Sequence, residues 1–192
     1  MVVCRRACGP FPRFSRQLRR GTVLVFLAMI LTTVVSGQTA TEYELKAAFL
    51  YNFTKFVEWP GESFPASDSP LRLCVLGNDP FGSELSQVTE GKVVGGHPVQ
   101  VAVLDNWHHA RDCQLVFISS SELMPLRDIL HGLRGTSALT VGDSKSFAEE
   151  GGMIGLLIEG ERMRFEVNLR AATAANLKIS SKLLSLAKAV LT

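Results

Sequence analysis

Residues 71–82, Leu71-Arg72-Leu73-Cys74-Val75-Leu76-Gly77-Asn78-Asp79-Pro80-Phe81-Gly82, hold the pattern on which the fold turns. An apolar run this short, closed by turn residues, reads as a strand buried on both faces. Asn78-Asp79-Pro80 then reads as a helix start, with Asp79 as cap, Pro80 in the first turn and the helix continuing to about Thr89. The unit repeats downstream. His97–Leu104 and Gln114–Ser119 are further strand candidates, and a helix is expected from about Ser121 to Leu133, where Pro125 fits only in the first turn. Ala138–Val141 is a fourth strand, and Phe147–Glu150 a helical turn. Met153–Ile158 and Met163–Leu169 flank Glu159-Gly160-Glu161 as a hairpin. Ala171–Leu191 reads as a closing amphipathic helix. Alternating βα units imply an α/β fold: one domain, a largely parallel sheet with helices on both faces, and a C-terminal β-hairpin plus helix.

Upstream, Thr41–Trp59 is the clearest helical pattern. Thr41 and Glu44 have capping-box spacing, and Leu45, Phe49, Phe53 and Phe56 recur every three or four residues. Tyr43, Ala47, Leu50 and Tyr51 make the opposite face apolar too, so the helix is expected to be buried on two sides, by the domain and by a second subunit. Pro60 is the expected stop, followed by a loop over 60–70.

Charge divides the 192 residues unevenly. Residues 1–37 hold six arginines and no acid. Residues 38–192 hold 14 Lys+Arg against 18 Asp+Glu, a net charge of −4. A body of that sign repels phosphate, which excludes a globally basic nucleic-acid binder. Basic residues, an apolar centre at Val23–Val35 and small residues after it read as a cleaved signal peptide over 1–37. Val35 and Gly37 suit cleavage before Gln38, and Ala40 offers a second site. Cys4 and Cys8 would leave with that leader.

Cys74 and Cys113 remain. An even pair in an exported chain reads as one disulfide, with two separately buried thiols as the alternative. In a 2-1-3 strand order such a bridge ties the first strand to the segment entering the third. There is no CxxC and no Cys/His quartet at zinc spacing, so no metal site and no cofactor is expected. His108 and His109, between Asp105 and Asp112, read as a solvated cluster.

The turn at Gly77 and Asn78, with Ser119 and Asp143 after later strands, falls where doubly wound sheets bind ligands, and is a candidate ligand site. The glycine spacing fits neither a dinucleotide fingerprint nor a P-loop, and Asp79 opposes an anion. Ser121 reads as a helix cap and Asp143 as part of a solvated turn. No serine elbow accompanies Ser119-Ser120-Ser121, so no nucleophile, base and oxyanion donors come together, and no catalytic residue is assigned. Over 164–168, Arg164, Glu166 and Asn168 share one strand face and Phe165 and Val167 the other; a charged face on an outer strand reads as solvated, and it is also the pattern of a docking edge.

Leu45-Lys46-Ala47-Ala48-Phe49-Leu50-Tyr51-Asn52-Phe53-Thr54-Lys55-Phe56-Val57-Glu58-Trp59-Pro60, the 73–82 run, Arg164-Phe165-Glu166-Val167-Asn168-Leu169 and the tail Leu177-Lys178-Ile179-Ser180-Ser181-Lys182-Leu183-Leu184 together resemble the YfiR family of small exported proteins. The resemblance covers residues 42–191 in order. It implies a dimerising periplasmic α/β domain over 38–192 that restrains a membrane-bound diguanylate cyclase by binding its periplasmic domain. An outer-membrane-linked protein can sequester such a regulator. The resemblance implies that Cys74 and Cys113 match one family disulfide, that Ala148 and Gly155 stand where a second would be, and that Phe165 and Glu166 lie near the partner-facing surface. The expected function is therefore non-enzymatic regulation of cyclic-di-GMP signalling and biofilm formation. The alternative is a periplasmic small-molecule-binding module serving a transporter or outer-membrane receptor.

Overall fold

The computed structural model describes residues 38–160 and 162–192; residues 1–37, on which the signal-peptide expectation and Cys4 and Cys8 fall, lie outside them. In chain order the elements are α1 (Gln38–Thr54), β1 (Val57–Glu58), β2 (Leu71–Leu76), α2 (Glu84–Thr89), β3 (Val93–Val94), β4 (His97–Leu104), β5 (Leu115–Ile118), α3 (Leu126–Gly132), β6 (Leu139–Gly142), β7 (Ile154–Glu159), β8 (Arg162–Asn168), α4 (Leu169–Ala174), β9 (Lys178–Ile179), α5 (Ser181–Leu184) and β10 (Ala189–Leu191). Short 3-10 helices occupy Gly61–Ser63 and Trp107–Asp112.

Eight strands form one sheet in the order β10-β8-β7-β6-β5-β2-β4-β3. Strands β4, β2, β5, β6 and β7 pair in parallel, and β8 returns antiparallel to β7. The central order β4-β2-β5 is the expected 2-1-3 arrangement. Alternate side chains of the central strands serve two cores. Leu73, Val75, Leu115, Phe117, Leu139 and Val141 pack beneath α1, α2 and the C-terminal elements. Cys74, Leu76, Val116 and Ile118 pack with Ile129 of α3, Ala110 of the 3-10 helix and Phe147. Both faces are apolar because both are covered.

Tertiary contacts moved several boundaries. Gln38–Ala40 are already helical, so Thr41 lies inside α1 and the expected capping box does not start it. It ends at Thr54 rather than at Pro60, because Val57–Glu58 pairs antiparallel with Lys178–Ile179. α2 starts at Glu84: the Phe81 amide donates to the Asp79 carboxylate at 2.8 Å in a local turn, and Gly82 (φ +55°) then breaks the helical path. Ser121 does not cap α3, which Pro125 opens at Leu126. Residues 147–150 form successive turns rather than a helix.

The largest departure is the C-terminus. The expected helix over 171–191 is broken into α4, β9, α5 and β10. Asn176 adopts the left-handed conformation (φ +59°) just past α4, a helix-ending geometry that asparagine tolerates. The Ser180 hydroxyl then accepts from the Leu183 amide and starts α5. β10 pairs in parallel with β8, so the hairpin's second strand is not the edge of the sheet.

Cys74 and Cys113 are disulfide-bonded, with Cα atoms 6.2 Å apart across a sequence separation of 39. Gln114, immediately after, accepts from the Arg72 amide (2.7 Å) and donates to the Ser63 carbonyl (2.7 Å), while its own carbonyl accepts from the Trp59 indole (3.0 Å). Bridge and glutamine together hold the start of β5 against β2 and the 60s loop. Cys113→Ser should lower unfolding free energy by roughly 2–5 kcal/mol, seen as a reduced urea midpoint against the oxidised parent.

Candidate functional site

α1 lays its first half across the C-terminal ends of the parallel strands. Its inward stripe is Lys46, Leu50 and Phe53, at i, i+4 and i+7, with Ala47 and Thr54 beside them. Tyr43 meets Phe81 edge-on at 5.6 Å, and Phe81 meets Phe117 at 4.9 Å. The outward side is largely polar, with Glu44 and Asn52 exposed and Leu45 42% exposed. Within the chain the helix has one core face, and the side expected to meet a second subunit faces outward.

Lys46 is a lysine on the buried stripe. Its ammonium lies 2.7 Å from an Asp143 carboxylate oxygen and 2.6 Å from Glu42, and the Lys46 and Asp143 side chains are each only 5% exposed. The other Asp143 oxygen accepts from the Ser120 amide at 3.0 Å. Asp143 is thus a buried ion-pair partner and not part of a solvated turn. Burial pushes the Lys46 pKa down, but the hydrogen bonds it donates to Asp143 and Glu42 and the charge of Asp143 outweigh it, leaving the pKa above its ordinary value.

The candidate ligand residues sit at this same end, and their polar groups are engaged internally or blocked. Ser119 is buried and shares a 2.8 Å hydrogen bond with Ser121. The turn at Gly77 (φ +86°) lies directly under Glu122, whose carboxylate is 2.6 Å from where a Cβ would stand. Asn78 alone faces solvent. Lys46, which the sequence reading missed, was signalled by a cation on the same helical stripe as Leu50 and Phe53, with Glu42 one turn before it.

On β8, Phe165 is a core residue, 5.3 Å from Phe53 and 6.1 Å from Phe49. Asn168 is buried: its amide donates to the Ala148 carbonyl and its carbonyl oxygen accepts from the Ala171 amide, each at 2.9 Å, so it caps α4. Arg164 is exposed, and Glu166 is half-buried 3.7 Å from Lys188, which also pairs with Glu159. The outward face thus keeps Arg164 and Glu166 and loses Asn168 to the interior.

Phe147 fills the space beside two glycines: a Cβ on Gly142 or Gly152 would stand 2.3 or 2.1 Å from its ring. This anchors the 143–152 segment beneath the sheet. A Cβ at Gly155 would lie 3.7 Å from that of Ala148, within the span a disulfide needs. Among the described residues no group of His, Cys, Asp and Glu is placed to hold a metal, and no helix is long and apolar enough to cross a membrane.

A doubly wound sheet whose strand ends are covered by its own helix, joined there by a salt bridge, defines an α/β scaffold. The YfiR/HmsC-like family model matches residues 43–188, and the chain belongs to that family. A solved structure of a conserved domain protein from Vibrio cholerae O1 biovar El Tor has a similar fold, with a TM-score of 0.53 and 10% identity over 77% of this chain. The chain spans 60% of that protein's length. No curated protein sequence matches significantly.

Two outcomes follow from this geometry. Lys46→Met should cost about 3–5 kcal/mol at pH 7 by leaving Asp143 buried and unpaired, and adding Asp143→Leu should recover most of that. Because the folded-state lysine pKa is raised, its contribution is complete below the unfolded value of ~10.4 and is lost as pH rises through the folded value. Urea titrations at pH 7 and pH 11.5 should therefore show the gap between parent and Lys46→Met shrinking at the higher pH. Separately, Ala148→Cys with Gly155→Cys should oxidise to a second bridge contributing about 2 kcal/mol, detected as a linked peptide in non-reducing mass mapping.

Proposed function

We propose that this chain is an exported, non-catalytic regulator that binds the periplasmic domain of a membrane diguanylate cyclase and restrains it. The observation that carries this reading is the closure of the strand ends. The crevice in which doubly wound folds keep substrates is occupied by Lys46, Asp143, Glu122 and α1, which favours surface binding over turnover. Membership of the YfiR/HmsC-like family supports the same class of action. Restraint requires tighter binding to the inactive cyclase than to the active one, since only differential affinity shifts that equilibrium. The docking surface is the outer side of β8, through Arg164 and Glu166. Release follows when an outer-membrane-linked protein competes for the regulator. Residues 1–37 act as the signal peptide, and the working form is a homodimer.

Deletion of the gene should raise cyclic-di-GMP and biofilm mass in the host. Glu166→Arg should reproduce the deletion while its circular dichroism and urea midpoint stay near the parent's, because charge reversal at a docking face can cost several kcal/mol of binding. Pull-down from host membranes should recover the cyclase with the parent, and the recovered bait should begin at Gln38 or Thr41. Unchanged cyclic-di-GMP after deletion, with no cyclase recovered, refutes the proposal.

A further inference from the structure

A groove of about 440 Å³ lies between α3, the end of the 143–152 segment and α4, away from the strand-end site and from the β8 surface. That volume is within the ~300–1,000 Å³ of small-molecule sites. Its apolar lining is Leu130, Leu133, Met153, Ala171 and Ala175. Ala171 of α4 and Ala175 just past its end carry no long side chain to fill the space. Arg127, His131 and Arg134 also line the groove, and Glu150 is its only carboxylate. Neither arginine forms an ion pair among the described residues. Arg127 and Arg134, both exposed at the rim, put two permanent cations beside an apolar floor against the single carboxylate of Glu150, a local positive excess on a body whose net charge is −4.

A second observation points the same way. Thr140 lines the groove and is 2% exposed. Its hydroxyl oxygen accepts from the Met153 amide at 3.1 Å, and among the described residues no side chain or carbonyl accepts its proton. The other two buried threonines, Thr54 and Thr89, donate to the carbonyls of Tyr51 and Leu85. A buried hydroxyl proton without an acceptor is costly, and a ligand oxygen would supply one.

We propose that this groove binds a free amphipathic monocarboxylate with an unbranched apolar tail. The tail lies over Leu130, Met153, Ala171 and Ala175, and the carboxylate is held by Arg127 and Arg134, with Thr140 donating to a ligand oxygen. Guanidinium groups suit the anionic end because they donate in a fork that matches a carboxylate. The site is independent of the cyclase reading, since it uses neither Glu166 nor the strand ends, and direct binding tests it alone.

The test is isothermal titration of the full chain with hexanoate, octanoate and decanoate below their micellar concentrations, with 1-decanol as the uncharged control. Decanoate should bind saturably, and affinity should climb about fourfold per added methylene until the groove is full. 1-Decanol should bind at least tenfold more weakly. Arg127→Gln with Arg134→Gln should weaken decanoate at least tenfold, and Ala175→Leu, which fills the floor, should abolish binding, both with unchanged circular dichroism. Thr140→Val should weaken it several-fold, with Thr140→Ser restoring it. The proposal is overturned by equal binding of 1-decanol, by a flat chain-length series, by parent-like binding in the arginine double variant, or by binding only to phosphatidylglycerol vesicles.

Discussion

The central strands β2, β5 and β6 have almost no exposed side chain, and the rest of the molecule is arranged to satisfy that condition. Ribbons apolar on both faces must be covered twice. The chain covers one face with α1, α2, α4 and α5, and the other with the Trp107–Asp112 turn, α3 and the segment anchored by Phe147. No covering helix is longer than seven residues except α1, so most of their stability comes from the sheet beneath them rather than from their own helical propensity.

The coverage also explains the charged pair at the strand ends. Once α1 crosses those ends, any charge on its inner stripe leaves water, and Lys46 can remain ionised only with Asp143 and Glu42 beside it. The pair fixes where α1 sits along the sheet better than Leu50 or Phe53 can, because apolar contact tolerates sliding and a hydrogen-bonded ion pair does not. Its position closes the crevice that this architecture ordinarily leaves open.

The parallel sheet, its 2-1-3 centre, the Cys74–Cys113 bridge and the β7–β8 hairpin were legible because each rests on local pattern: short apolar runs, turn residues and an even cysteine pair. The C-terminal stretch was not. Its leucines at 177, 183, 184 and 186 keep a helical period, yet Asn176 and Ser180 interrupt the helix, and Lys178–Ile179 is claimed by β1, more than a hundred residues earlier in the chain. Asp143 was misread for a related reason. A polar residue after a strand looks solvated until a helix from the other end of the chain is placed over it. Asn168 looked like a member of a surface row because alternation specifies the side of a strand, not whether that side is covered.

The disulfide constrains the timing of assembly. In the finished structure Cys74 and Cys113 are both sealed from solvent, with the Trp107–Asp112 turn and α3 packed in the same core cluster. Once that layer has closed, Cys74 is wholly buried and Cys113 is only 3% exposed, so an oxidant or an isomerase reaches the pair poorly. The bond must therefore form while β2 and β5 are together and their cover is still open. A chain that buries these thiols unpaired is kinetically trapped: it can be corrected only by reopening that layer.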